Sequence, residues 1–158
     1  MDNNYKWSQS IIIDFYNNNR NSWEDLYKSE KKVIKKILKK NSSILDIGCA
    51  QGGLSIALEK KIKNYSYTGL DYNSLMIKKA KKKFPNHNFV KIKNLNLSKL
   101  FNVKFDIVFV LGILHLNRNW KKILKEAYKL TRRHLVFDLR EIRNVKLKKN
   151  IYQNLNLG

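Results

Sequence analysis

The run Ile44-Leu45-Asp46-Ile47-Gly48-Cys49-Ala50-Gln51-Gly52-Gly53 sets an acid two residues ahead of a glycine-rich turn. A second acid, Asp71, follows 19 residues after Gly52, at the end of another apolar run. Glycine lacks a Cβ and reaches dihedrals closed to other residues, so such a turn lets a ligand lie against the backbone. Taken alone, the turn is expected to present exposed N–H groups at a helix start, a setting that suits the pyrophosphate of a dinucleotide. A carboxylate at Asp46 would face that anion. The combination points instead to a ligand with positive charge and hydrogen-bond donors at one end. Asp71 is placed to accept from the two hydroxyls of a ribose, a device common to several nucleotide-like cofactors.

Later candidates also follow strand-like runs. Asn94-Leu95 comes after the third run, although Asn96-Leu97 offers a competing register. Leu111, Gly112 and His115 fall at or just after the end of the fourth; His115 is a candidate ligand contact or base, and also a candidate structural histidine. Asp138-Leu139-Arg140 after the fifth could reach a substrate. Cys49 is expected to be a small filler whose backbone N–H matters, not a nucleophile. Trp7, Trp23 and Tyr27 either form a lid over the ligand or pin the N-terminal helices to the rest.

These residues need elements to position them. Helical segments are expected around Ile11–Tyr16 and, after a capping box at Ser22-Trp23-Glu24-Asp25, over Ser29–Lys40, where Val33, Ile34, Ile37 and Leu38 form an apolar stripe. From Ser43 the pattern predicts strands at Ile44–Ile47, Tyr65–Leu70, Asn88–Lys93, Phe105–Leu111 and His134–Asp138. Between them it predicts helices at Leu54–Lys61, at Leu75–Phe84 and around Trp120, Ile123, Leu124, Ala127 and Tyr128. Phe105–Leu111 is the most apolar run and is expected centrally. Strands separated by helices imply an α/β fold with a doubly wound, mostly parallel sheet, here preceded by N-terminal helices. One domain is expected, with residues 1–42 as a helical cap, 43–140 as the ligand-binding core and 141–158 as an incomplete C-terminal region. Ligands of such sheets bind beyond the carboxyl ends of the strands, where strand order reverses. Asp46, Asp71, Asn94 and Leu111–His115 should therefore gather on one edge.

Composition narrows the field. The 158 residues suffice for one domain with a real core, and 43% of them are hydrophobic. No apolar run approaches the roughly 20 residues that cross a bilayer. With Cys49 the single cysteine, no internal disulfide forms, no cysteine-based metal site is built, and a cytoplasmic location is expected. The formal charge of +21 raises the question of nucleic acid. Lysines spread through every segment, however, and accompany many asparagines and isoleucines, as AT-rich codon usage would produce. The densest run, Lys78 to Lys83, shares a helix with Met76, Ile77, Ala80 and Phe84, so it reads as a solvated face.

Asp46-Ile-Gly48-Cys-Ala50-Gln-Gly52 resembles motif I of class I S-adenosylmethionine-dependent methyltransferases, with Ala50 in place of the middle glycine. Leu70-Asp71-Tyr72-Asn73 is similar to motif II, whose acid binds the ribose and whose next residue packs near adenine. Asn94-Leu95 stands where the family often has an aspartate and a small residue beside the adenine amino group. Phe105 to Leu116 resembles the fourth-strand motif of the small-molecule branch. The resemblance covers about Ser43 to Asp138 and implies a Rossmann-like methyltransferase fold with S-adenosylmethionine as cofactor. It also implies in-line methyl transfer to a small-molecule or glycan acceptor, with Gly48, Cys49, Ala50, Gly52, Leu111 and Gly112 joining the two acids at the cofactor.

Other acceptors match less well. The Pro-Pro-aromatic motif of base amino-methylating enzymes is absent, since Leu111-Gly112-Ile113-Leu114 occupies its place, and Cys49 lies in the wrong loop for cytosine-C5 chemistry. Leu111 and Asp138 stand where ribose 2′-O RNA methyltransferases resemble one another in an acid and a lysine. The positive charge keeps an RNA methyltransferase as one alternative, and a cofactor-binding but inactive or partner-dependent domain as another. The family's sheet has seven strands, and only twenty residues follow Asp138. The chain thus reads as truncated after the fifth strand, with an incomplete sheet edge open to a partner or second copy.

Overall fold

The computed structural model describes residues 19–139. Expectations at Trp7, Ile11–Tyr16, Arg140 and residues 141–158 lie outside the described residues. Ser22 and Asp25 exchange the two bonds of a capping box: the Ser22 N–H donates to Asp25 Oδ2 at 2.9 Å, and the Asp25 N–H donates to Ser22 Oγ at 3.3 Å. Only a single turn follows. Helix α1 begins later, at Lys28, and runs to Ile37. Its start is fixed by the Tyr27 N–H donating to Glu30 Oε2 at 2.8 Å. The expected end at Lys40 is not reached, because Leu38 is extended and Asn41 takes a left-handed φ of 63°.

Strands and helices then alternate: β1 (Ser43–Ile47), α2 (Gly53–Glu59), β2 (Ser66–Asp71), α3 (Ser74–Lys83), β3 (Asn88–Lys91), β4 (Phe105–Val110), α4 (Trp120–Lys129) and β5 (Thr131–Phe137). Short 3-10 turns occupy Leu97–Lys99 and Leu114–Leu116. All the strands pair in parallel in the order β3-β2-β1-β4-β5. The middle strand among the described residues is therefore β1. The more apolar β4 lies between β1 and β5, with all its residues buried. Strand order reverses between β1 and β4, which opens a crevice beyond their carboxyl ends.

Alternation along the strands feeds two apolar layers. Ile44, Tyr67, Phe89, Ile107 and Phe109 meet Ile34 of α1, Leu58 of α2 and Ala80 of α3 on one face. Leu45, Leu70, Val108 and Val110 meet Ile123 and Ala127 of α4 on the other. Helices thus cover both faces, and strand ends point toward one edge. The last strand starts at Thr131, earlier than the expected His134. Thr131 Oγ1 donates to Ala127 O at 2.7 Å, and Arg132 and Arg133 reach Asp106 Oδ1 of β4 at 3.3 and 3.5 Å. That ion pairing draws a polar run into the sheet. Among the described residues, β5 pairs with β4 alone, and no helix is long and apolar enough to cross a membrane.

Candidate functional site

The turn after β1 folds over itself. Gly48, Ala50 and Gly52 have φ values of 85°, 47° and 84°, all in the left-handed region. The N–H groups of Gly48 and Cys49 both donate to Leu70 O, at 2.8 and 3.0 Å, and the Gly52 N–H donates to Cys49 O at 2.9 Å. The Ala50 N–H donates to Asp71 Oδ2 at 2.9 Å. These amides face inward, contrary to the exposed N–H groups expected from the sequence, because β2 supplies acceptors for Gly48, Cys49 and Ala50 and Cys49 O takes the Gly52 N–H. A pyrophosphate would find no cradle in them. At Gly48 a Cβ would stand 2.6 Å from Ile113 Cγ2, so space and dihedral both demand glycine. The Cys49 N–H is taken by Leu70 O, and its sulfur fills the notch left by Gly69, 2.7 Å from where a Cβ would sit. Burial, then the charges of Asp46 and Asp71, push the thiol far above its ordinary range, so it is no nucleophile.

A cavity of about 440 Å³ opens over this turn. Asp46 lines it from β1, Gly48 and Cys49 from the turn that follows, and Leu111, Gly112 and Asp138 from beyond the ends of β4 and β5. Arg20, Asn21, Asp25 and Tyr27 close it from the N-terminal segment. Asp46 is 4% exposed, and its Oδ2 accepts the Tyr67 hydroxyl at 2.5 Å. Burial raises its pKa to about 6, while Tyr67 and Arg20 pull it down and Asp71 pushes it further up. Arg20 also donates to Glu30 Oε1 at 3.0 Å. Asp138 Oδ1 accepts the Gly112 N–H at 2.6 Å, which ties the end of β5 to the end of β4. Gly112 has a φ of 74°, yet a Cβ there would meet nothing within 4 Å, so the space above it is open. Three aspartates face one arginine that is already paired. The cavity is negative within a chain of formal charge +21, and it suits a cation.

A second cavity of about 150 Å³ also borders Gly48. Ile47, Ile92, Leu95, Ile113 and Ile123 make it apolar, and Asp71, Tyr72 and Asn117 stand at its polar side. Asp71 Oδ1 accepts the Asn73 N–H at 2.8 Å, and its Oδ2 accepts that of Ala50. Burial raises its pKa, and those amides oppose the rise. Each carboxylate oxygen has two lone pairs, so acceptor capacity remains for a ligand. An apolar slot with an acid beside it can take a flat heterocycle attached to a hydroxylated ring.

Not every candidate lines these cavities. Ala50 and Gly52 are buried and shape the turn from behind. Asn94 is exposed and its Oδ1 accepts the Asn96 N–H at 3.0 Å in a local turn, while its neighbour Leu95 forms cavity wall. His115 is exposed on the Leu114–Leu116 turn, outside both linings. Trp23 is buried in the core beneath α1, whereas Tyr27 borders the larger cavity. Sequence reasoning missed Tyr67, Arg20, Asn21 and Asp25. For Tyr67 a signal existed: parallel register places Asp46 opposite Gly69, one pleat beyond Tyr67 on the same face.

Residues 45–134 match a family described as a methyltransferase domain. The chain is 35% identical over 85 residues to the putative methyltransferase 235L of Invertebrate iridescent virus 6, an alignment covering 52% of this chain and 31% of that protein. It is 36% identical over 98 residues to the ribosomal protein L11 methyltransferase of Dictyoglomus turgidum, covering 59% of this chain and 32% of the relative. Among solved structures, the plantazolicin methyltransferase BamL, in complex with a triazolic desmethylPZN analog and SAH, superposes with a TM-score of 0.55. That pair is 28% identical, over 63% of this chain and 37% of the other. The chain thus spans about a third of the length of these relatives.

Proposed function

The chain belongs to the methyltransferase domain family, and from that membership we propose that it transfers the methyl group of S-adenosylmethionine to a small-molecule or glycan acceptor. The observation that carries the proposal is the pair of cavities meeting at Gly48, one apolar with Asp71 at its side, the other lined by Asp46, Asp25 and Asp138. Their chemistry matches the two ends of the cofactor. The apolar slot takes adenine, Asp71 accepts from the ribose hydroxyls, and Asp46 faces the ammonium end. The amides of Gly48, Cys49, Ala50 and Gly52 are taken by protein acceptors and are not offered to an anion, in keeping with a cationic cofactor.

Bound S-adenosylmethionine supplies a methyl group already activated by the sulfonium charge. The chain's own task is positioning, which can contribute roughly 7–11 kcal/mol of a barrier when reacting atoms are held in line. Ile47, Ile92, Leu95, Ile113 and Ile123 exclude water around the base. The open space over Gly112 leaves room for an acceptor beside Asp138, whose carboxylate is placed to orient an acceptor N–H or O–H. A general base is required only for an acceptor that arrives protonated and weakly acidic. His115, outside both linings, is given no step. A cavity of about 440 Å³ falls within the size range of small-ligand sites, and the similar BamL is a plantazolicin methyltransferase, which supports a small acceptor.

Calorimetry with S-adenosylmethionine and S-adenosylhomocysteine tests the proposal. Both should bind the intact chain, and Asp71→Ala should weaken binding by about 1–3 kcal/mol, the usual cost of stranding buried polar groups. Failure of both to bind would remove the cofactor assignment. Binding without transfer of labelled methyl to any fraction of a small-metabolite extract would favour the inactive or partner-dependent domain.

A further inference from the structure

We propose that Tyr67 is a positioning residue, whose buried hydroxyl holds the Asp46 carboxylate toward the acidic cavity and thereby sets the pH range over which the cofactor binds. The inference rests on the reading that Asp46 faces the cofactor's ammonium group. Tyr67 is 2% exposed on β2 and gives Asp46 Oδ2 a 2.5 Å hydrogen bond. Its ring is held in turn by His87 and Phe89, with centroids 5.3 and 5.8 Å away. The hydroxyl therefore has little freedom to leave its acceptor. Asp46 sits opposite Gly69 in the register, so it is reached from the adjacent pleat by the long tyrosine side chain.

The charged surroundings of Asp46 make this donor matter. Asp71 at the end of β2 disfavours further negative charge and Arg20 of the N-terminal segment favours it, while the Cys49 thiol in the turn stays neutral. Asp25 and Asp138 add negative charge around the same cavity, and His87 stands behind the Tyr67 ring. A buried carboxylate deprived of a donor takes up a proton more readily, because desolvation disfavours its charged form. A protonated Asp46 offers no charge to an ammonium group. Loss of the Tyr67 hydroxyl should therefore shift the loss of cofactor binding to higher pH. It should not weaken binding equally at all pH values.

The test follows the Asp46 carboxyl by carbon-13 NMR and S-adenosylhomocysteine affinity by calorimetry, from pH 5 to 9, in wild type, Tyr67→Phe and Tyr128→Phe. Asp46 should titrate at about 6 in wild type, with affinity falling as pH drops through that value. In Tyr67→Phe the midpoint should rise by about one unit, so affinity relative to wild type falls about fivefold at pH 6 and about tenfold at pH 5, and stays within about twofold at pH 9. Tyr128→Phe, at a tyrosine 72% exposed on α4, should leave both curves in place, and Asp46→Asn, a check that does not depend on Tyr67 folding, should bind weakly with a flat profile. An unmoved Asp46 midpoint in Tyr67→Phe, or an equal loss of affinity at every pH, overturns the role of Tyr67 while the cofactor reading stands. A wild type that binds at no pH overturns the cofactor reading and this inference with it.

Discussion

Asp46 keeps its proton to about pH 6 because it is buried with one hydroxyl donor, whereas an ordinary aspartate loses it near 3.8. The folded chain then binds that proton more tightly than the unfolded chain does. The resulting stability is fully present below pH 3.8 and is lost as pH rises through about 6. At neutral pH the ionised group costs on the order of 3 kcal/mol. Asp46→Asn keeps an oxygen for Tyr67 and removes the charge, so it should stabilise the protein by about 1–3 kcal/mol at pH 7 and by nothing at pH 3. Urea denaturation at both values measures this, and an unchanged midpoint at pH 7 would refute it. The same substitution should weaken cofactor binding, as expected where a charge is held at a functional site against folding stability. Asp46, Gly48 and Asp71 were legible in the sequence because their spacing fits one strand, one turn and the next strand end. Tyr67 was not, since its contact with Asp46 depends on interstrand register. Asp25 was read only as a capping acid, because its local hydrogen bonds leave no trace of the cavity it borders.

At the scale of elements, helix α4 is fastened by a buried acid as well as by its apolar face. Glu126 Oε2 accepts the Ser98 N–H at 2.9 Å and its hydroxyl at 2.7 Å, and Oε1 accepts Lys129 Nζ at 2.6 Å. Burial raises the glutamate pKa, but these donors outweigh it and hold the value at about 2. The clamp joins α4 to the Leu97–Lys99 turn, just beyond the cavity wall at Leu95. Its contribution is present above the unfolded value of 4.5 and is lost as pH falls through about 2. Glu126→Gln should destabilise the protein by about 1–3 kcal/mol at pH 7, after allowance for the half-exposed lysine. Thermal melts of both proteins from pH 7 to 2 should converge at the acid end, and a gap that persists there would show a packing defect instead. Helices and strands were legible from periodicity, because each buries one face. Their ends were less so: α1 stops at Ile37 because Leu38 turns extended, and β5 starts early because Asp106 recruits Arg132 and Arg133 across the sheet. Turns of three residues carry no periodicity at all.

For the whole molecule, charge is sorted sharply between exterior and cavities. Four of the 12 acidic residues, Asp25, Asp46, Asp71 and Asp138, line the two cavities, and of the 33 lysines and arginines only Arg20 does so among the described residues. The sequence revealed the excess of lysine but not this partition, which depends on strand ends meeting in space. Lysines on α1, α3 and α4 repel one another across the surface. Moving from about 0.01 to 0.15 M salt shortens the screening length from about 30 to about 8 Å, so the melting temperature should rise with salt. A single-stranded RNA such as poly(U) should bind this exterior at low salt, with affinity falling steeply as salt is added. Phosphates are repelled by the cavity aspartates, so saturating poly(U) should leave S-adenosylhomocysteine affinity within about twofold, the response of independent sites with negligible coupling. Calorimetry with and without the RNA measures that coupling. A change of about tenfold or more would mean that RNA reaches the cavity mouth, and would favour an RNA acceptor over the proposed small molecule or glycan.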